Sequence, residues 1–142
     1  MRGRYRNSFR EKIRRVIAES EGNVILRSEL TKLGSSRQIS RALKALVEDG
    51  ELIKFGYGVY AKAEKSEYVN MPILQDAFEN VCIEALNKLG IGWELGMALK
   101  AYNEGRTQQV PVKFIVRLKN RFRGTLGDGR RKLVFERKIN AR

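Results

Sequence analysis

One stretch in the first half of the chain constrains its fold more than any other. In residues 37–48, taken at 100° per residue, one arc of about 140° holds the apolar side chains of Ile39, Ala42, Leu43, Leu46 and Val47, as in an amphipathic helix that packs on a core. An Asp49-Gly50 turn follows, and two β-prone runs, 51–55 and 59–61, then flank a Gly56-Tyr57-Gly58 turn. The stretch therefore predicts a helix followed by a β-hairpin.

The residues before this stretch complete a recognisable order of elements. Ser8 and Glu11 have the spacing of a capping box, and they open an amphipathic helix whose apolar residues are Phe9, Ile13, Val16 and Ile17. The run 24–26 is β-prone, and a second short helix is predicted over 29–33. Helix, short strand, two helices and a hairpin follow one another in the winged helix-turn-helix fold. We predict that fold for residues 1–63.

The outer face of the third predicted helix carries cations and an amide. In a winged helix-turn-helix this helix enters the major groove, where arginine pairs with guanine and glutamine with adenine. The alternative is an ordinary solvated face. We predict that the residues of this helix that contact duplex DNA are Ser36, Arg37, Gln38, Ser40, Arg41 and Lys44.

The hairpin and the N-terminus supply further polar and cationic side chains. A wing lies near the DNA backbone or the minor groove, and the wing residues expected to contact phosphate or sugar are Lys54, Tyr57 and Lys62. Basic N-terminal arms often lie along phosphates or enter an adjacent minor groove, whereas a disordered, solubilising tail is the alternative. The arm residues expected to do so are Arg2, Arg4, Arg6 and Arg10.

The charge distribution also indicates a polyanionic partner. The 142 residues contain 29 Lys and Arg against 16 Asp and Glu, a net charge of +13. Residues 1–63 have a balance of +7 and residues 110–142 a balance of +9, whereas residues 64–109 have a balance of −3. A phosphate backbone is the commonest partner that relieves such repulsion. For the C-terminal block we expect either a docking face or a second contact with the backbone through Arg121, Arg123, Arg130 and Arg131.

The residue types that are missing argue against an enzyme. The chain has no histidine and one cysteine, so it lacks a Ser-His-Asp or Cys-His centre, a His-bearing zinc site and a disulfide. Its carboxylates are scattered rather than clustered to hold magnesium. We therefore expect no catalysis, no cofactor and no metal. Because the apolar runs are short and no apolar signal core follows the basic N-terminus, we expect a cytoplasmic protein without a membrane partner.

The second half of the chain predicts a smaller module. A polar segment, 62–67, is predicted to link it to the first, and Pro72 is predicted to open a helix that ends at Leu89. Cys82 lies on the apolar stripe of that helix, which indicates a buried residue. The further predicted elements are an extended piece at 91–95, a short helix at 97–102 and strands at 110–118, 122–126 and 132–139, with a tight turn at Asp128-Gly129. We predict that residues 64–142 form an α+β module with an antiparallel sheet.

The first half of the chain resembles the winged-helix domain of AbiEi-type antitoxins. The resemblance rests on the runs Ile13–Ile17, Leu30–Ser35, Ile39–Leu43, Leu46–Ile53 and Gly56–Tyr60. The C-terminal part is similar to a group of small proteins that carry this domain. That similarity rests on Trp93-Glu94, Ala98–Asn103, Gln109-Val110-Pro111 and Leu133–Arg137.

The resemblance implies a bacterial or mobile-element antitoxin or repressor. Such a protein binds the promoter of its own operon, and the rest of the chain counteracts a nucleotidyltransferase toxin. By position, Arg37, Gln38, Arg41 and Lys44 would occupy the recognition helix and Tyr57 the wing. The chain departs from the longer antitoxins in its small C-terminal module.

These observations predict a non-catalytic, sequence-specific regulator that binds double-stranded DNA and represses its own promoter. One alternative is a module that binds and neutralises a toxin through the acidic helix that carries Asp76, Glu79 and Glu84. Another is a protein that binds structured RNA. A homodimer on DNA is a further alternative, because winged helices often bind inverted repeats as dimers. The sequence contains no heptad seam through which the chains would dimerise.

Overall fold

The computed structural model describes residues 2–106 and 114–136, which form an α+β fold. The first elements in chain order are α1 (Arg2–Glu19), β1 (Val24–Leu26), a 3-10 helix (Arg27–Leu30), α2 (Ser36–Glu48), β2 (Leu52–Gly56) and β3 (Val59–Lys65). They are followed by β4 (Pro72–Leu74), α3 (Phe78–Lys88), β5 (Trp93–Leu95), α4 (Met97–Asn103), β6 (Ile115–Leu118) and β7 (Val134–Glu136).

The first sheet is built around β3, to which β1, β2 and β4 all pair in antiparallel fashion. The β2–β3 hairpin contains a bulge between Lys54 and Gly56, and a bulge increases the local twist of a strand. In the order β1-β3-β2, β2 lies at an edge. One side of β2 therefore has no neighbouring strand among the described residues.

The helical core lies between α1, α2 and one side of this sheet. Ile39, Ala42, Leu43 and Leu46 of α2 are all buried in it, so the apolar arc predicted for this helix is confirmed. Ser35 caps α2, because its hydroxyl accepts a hydrogen bond from the Gln38 N–H at 3.1 Å. This burial turns the opposite face of α2 outward.

A second core, the shared core, joins residues from both halves of the chain. It contains Val24, Phe55, Val59 and Ala61 from the first sheet, together with buried residues of α3 and of the C-terminal segment. The Glu84 carboxylate of α3 accepts hydrogen bonds from the backbone N–H groups of Asn23 and Val24, the latter at 2.8 Å. Residues on either side of position 63 therefore pack in one core.

The prediction of a helix that starts at Pro72 is wrong for its first turns. Pro72–Leu74 forms β4, and α3 begins at Phe78. The reason is that β3 continues through Lys65, inside the predicted linker, and offers a strand to pair with. Pro72 opens the paired run, a position in a strand where proline is tolerated.

Two N-terminal boundaries also differ from prediction. The helix expected to start at Ser8 already runs from Arg2, so that Ser8 lies inside α1 and does not cap it. The second short helix is a 3-10 helix over Arg27–Leu30 instead of 29–33. Such boundaries depend on local capping, which tertiary packing overrides.

The second sheet is mixed, whereas an antiparallel sheet was predicted. β5 pairs with β6 in antiparallel fashion, whereas β6 and β7 are parallel. Parallel neighbours need a crossover, and here residues 119–133 leave the sheet and return to it. The extended piece and the short helix predicted at 91–102 are confirmed. No strand forms at the predicted position 122–126. An isolated β-bridge joins Gly127 and Lys132 just after it. The predictions for 110–113 and 137–139 fall outside the described residues.

None of the helices in the described ranges is long and apolar enough to cross a membrane.

Candidate nucleic-acid interface

The outer face of α2 consists of Arg37, Ser40, Arg41 and Lys44, all of which are exposed. Their exposure follows from the helical period, which places the intervening apolar residues in the helical core. The face carries three cations and one hydroxyl. It therefore has the donors that a reader of bases or phosphates needs.

Two other predicted residues of α2 have partners within the fold. The Gln38 side-chain oxygen accepts a hydrogen bond from the Ser35 N–H at 3.0 Å, which completes a capping box with Ser35. The Ser36 hydroxyl and carbonyl oxygens both accept hydrogen bonds from an arginine outside the helix. In this arrangement both side chains stabilise the start of α2.

That arginine is Arg27, which the sequence reasoning did not single out. Its guanidinium donates to the Ser36 hydroxyl at 2.8 Å and to the Ser36 carbonyl at 3.0 Å. Its backbone N–H donates to the Gly58 carbonyl at 2.8 Å. Arg27 thus joins the start of α2 to the turn of the hairpin, and only its place at the end of β1 hints at this role in the sequence.

The hairpin tip, residues 54–58, presents an aromatic side chain and a cation. Tyr57 is 97% exposed and Lys54 is also exposed. Gly58 has a φ of 69°, a left-handed conformation that glycine adopts without strain. An aromatic side chain that the fold leaves in solvent is available to a partner.

The third predicted wing residue, Lys62, lies elsewhere. It pairs with Leu52 at the end of the hairpin far from the tip. Its ammonium donates to the Ser20 carbonyl, just beyond the end of α1, at 2.9 Å. The structure therefore does not bring Lys62 together with Lys54 and Tyr57.

The predicted arm is part of a helix. Arg2, Arg4 and Arg6 lie in the first turns of α1. Arg10 is half-buried, with its guanidinium 3.8 Å from the Asp49 carboxylate just after α2. Arg14 donates to both Glu51 carboxylate oxygens, which raises the pKa of Arg14 above its ordinary value. The inner part of the basic N-terminal segment thus ties α1 to the turn between α2 and β2.

The C-terminal cations are brought to the hairpin by the basic loop, residues 125–132. The Gly127 N–H donates to the Phe55 carbonyl at 2.9 Å, so the loop covers the open edge of β2. Leu126 is 1% exposed in the shared core. The Asp128 carboxylate accepts hydrogen bonds from the Arg130 and Arg131 N–H groups, and this confirms the predicted turn at 128–129.

The four arginines predicted to make a second contact with the DNA backbone do not lie together. Arg130 and Arg131 belong to the basic loop beside the hairpin, whereas Arg121 and Arg123 are exposed on the segment that leads to it. The Arg131 guanidinium lies 4.4 Å from the centre of the Phe78 ring, a cation–π contact. The structure therefore divides this predicted set into a pair at the hairpin and a pair before it.

Other reactive groups of the described residues serve the fold. Burial raises the pKa of the Cys82 thiol to about 12, so it stays protonated and unreactive at neutral pH. Asp76 and Glu84, two carboxylates of the toxin-binding alternative, accept hydrogen bonds from Asn23. Within residues 2–106 and 114–136, no group of His, Cys, Asp and Glu side chains could hold a metal ion.

Comparison with known proteins found no matching family model, no matching curated protein and no matching solved structure.

Proposed function

We propose that this protein binds double-stranded DNA in a sequence-dependent manner and regulates transcription without catalysis. In this proposal residues 1–63 act as a winged helix-turn-helix, with α2 in the major groove and the hairpin as its wing. The observation that carries the proposal is the exposed cationic face of α2 and its connection to the hairpin through Arg27.

The contacts around α2 favour a DNA-binding surface that is rigid before DNA binds. The Ser35–Gln38 capping box fixes where the helix starts, and Arg27 fixes the hairpin turn relative to that start. A binding surface that is ordered before association loses less entropy on binding. Arg37, Arg41 and Lys44 then have the exposure and charge to contact base edges and phosphates.

The resemblance to AbiEi-type antitoxins supports a narrower proposal, in which the bound DNA is the promoter of the protein's own operon. The toxin-neutralising role is less well supported, because Asp76 and Glu84 already have hydrogen-bond partners in the chain. The promoter is therefore the first DNA to test.

Fluorescence anisotropy with a duplex from the gene's own upstream region, beside a scrambled duplex, tests the proposal. We expect the upstream duplex to bind more tightly and its affinity to fall steeply with salt. Arg41→Ala should weaken that binding by about 1–3 kcal/mol and reduce the preference for the upstream sequence. Equal affinity for the two duplexes would refute sequence-dependent binding, and equally strong competition by duplex RNA would favour the RNA alternative.

Lys65→Ala is the matched control. Lys65 is an exposed cation at the end of β3, away from the hairpin tip. Lys65→Ala removes the same charge as Arg41→Ala, so we expect only the smaller loss of DNA affinity that a general charge effect produces.

A further inference from the structure

A cleft of about 510 Å³ separates the hairpin tip from the basic loop. Its cationic lining residues are Lys54, Arg130, Arg131 and Lys132, and none of the described residues that line it is acidic. Within the described ranges, no carboxylate forms an ion pair with any of these four cations. Such a concentration of positive charge in a concave surface attracts an anion.

The position of the cleft is fixed by backbone contacts. The Gly127 N–H donates to the Phe55 carbonyl, and a Cβ atom added at Gly56 would lie 2.9 Å from both the Thr125 carbonyl oxygen and a Leu126 methyl carbon. The two walls therefore meet without room for a side chain at Gly56. The cleft is built into the fold before any ligand arrives.

The backbone of the loop and one of its cations, Arg131, are also held by contacts within the fold. The Asp128 carboxylate, the acid nearest to them in the chain, accepts hydrogen bonds from two backbone N–H groups of the loop, those of Arg130 and Arg131. The Arg131 guanidinium is held over the Phe78 ring, which reduces the freedom that it would lose on binding. Its remaining donors suit the oxygens of a phosphate group.

The cations and donors of the lining suit a phosphodiester. Two large apolar lining residues, Phe55 and Leu126, are each 1% exposed and belong to the shared core. Tyr57 lines the same cleft, and a phenol can donate to a phosphate oxygen. The cleft thus offers cations and hydrogen-bond donors beside the apolar parts of its lining.

We infer that the basic loop is a second lobe of the wing, and that the cleft between it and the hairpin binds the phosphodiester backbone of duplex DNA. This inference rests on the proposed function, because it places the bound phosphates beside the DNA segment that α2 contacts. It also gives the C-terminal cations Arg130 and Arg131 a role next to the N-terminal ones.

The test compares two double variants that remove the same charge. Arg130→Gln with Lys132→Gln removes two cations from the cleft, and Lys65→Gln with Lys100→Gln removes two exposed cations that do not line it. For each variant, affinity for the upstream and scrambled duplexes is measured from about 0.05 to 0.3 M salt.

We expect the cleft variant to lose about fivefold in affinity for each phosphate contact removed at about 0.15 M salt. Its salt slope should decrease by about one per contact, while its preference between the two duplexes stays as in the wild type. Ethylation of one or two phosphates beside the α2 footprint should weaken binding of the wild type and leave the cleft variant unaffected. Equal losses for the two double variants, or an unchanged ethylation pattern, would overturn the inference.

Two further measurements distinguish this inference from a site for free phosphate and from a failure of the proposed function. Inorganic phosphate at low millimolar concentration should not compete with DNA, and competition that the cleft variant abolishes would identify a site for free phosphate instead. If the wild type does not distinguish the two duplexes, the proposed function fails. The scrambled duplex alone then still tests the cleft, through the difference between the two double variants.

Discussion

The outer face of α2 and the basic loop both present cations to solvent, but the fold positions them in different ways. The α2 cations are positioned locally, because burial of Ile39, Leu43 and their neighbours turns the opposite face outward. The loop has no helix or strand of its own. Its position depends on a few long-range contacts, chiefly the Gly127–Phe55 hydrogen bond and the burial of Leu126. We therefore expect the loop to be more sensitive than α2 to the loss of a single contact.

Truncation of the loop's buried anchor should have the largest effect. Leu126→Ala removes a side chain that is 1% exposed, and such truncations cost about 2–5 kcal/mol in the free energy of unfolding. Leu43→Ala in the helical core is the matched control and should cost a similar amount. Urea unfolding measures both.

The two variants should differ in local opening. Hydrogen exchange of the Gly127 amide should become faster than global unfolding allows in Leu126→Ala but not in Leu43→Ala, because only the former detaches the loop from Phe55. A Gly127 amide that keeps its protection in Leu126→Ala would show that other contacts hold the loop.

The attachment of α3 to the first sheet should give the next largest effect. Glu84→Gln replaces a carboxylate that accepts hydrogen bonds from the Asn23 and Val24 N–H groups. We expect a loss of about 1–3 kcal/mol in unfolding free energy, measured by denaturant titration. Glu79→Gln, on the same helix, should change it by less than about 0.5 kcal/mol. Equal effects would mean that the Glu84 contacts add nothing.

Arg27→Lys should separate geometry from charge. The substitution keeps the positive charge but removes the guanidinium that donates twice to Ser36. DNA affinity should fall about three- to tenfold, as for the loss of roughly one hydrogen bond, while the salt slope stays unchanged. Wild-type affinity would show that α2 and the hairpin do not need this connection.

The smallest expected effect is a change in stability from a contact of the second sheet, away from both cationic surfaces. A hydrogen bond from the Met97 N–H, and then two from Arg117, hold the pKa of Glu136 below its ordinary value of 4.5. The charged carboxylate therefore stabilises the fold above that pH, and this contribution is lost as the pH falls through the lower folded-state pKa.

Glu136→Gln should accordingly be less stable than the wild type at pH 7, by no more than about 1 kcal/mol. Thermal unfolding between about pH 3 and 7 should show this difference closing towards acid, where the wild-type carboxylate is also neutral. A difference that does not change with pH would contradict the assignment.

The same contrast explains how much the sequence could predict. The helical period of residues 37–48 and the Gly56-Tyr57-Gly58 turn act over short distances, so α2 and the hairpin follow from local patterns. Pro72 matches the first residue of a helix equally well locally, yet pairing with the long strand β3 makes it part of β4. Local patterns were decisive only where no distant partner competed.

The candidate site shows the same limit. The exposed positions on α2 and Tyr57 follow from periodicity and turn chemistry. The bridge from Arg27 to Ser36 and Gly58, and the contact of Gly127 with Phe55, join residues that are far apart in the chain. Nothing in the residues near 127 indicates that β2 is their partner, so the grouping of Arg130 and Arg131 with the hairpin required the structure.

Amide chemical-shift mapping with a duplex from the upstream region tests most directly whether α2, the hairpin tip and the basic loop form one DNA-binding surface. We predict that the largest shifts on addition of the duplex fall on residues 36–44, 54–58 and 125–132. Residues 66–71 and 100–106, also exposed for the most part, should change little. Shifts that leave out α2, or that fall mainly on 66–71 and 100–106, would contradict the account.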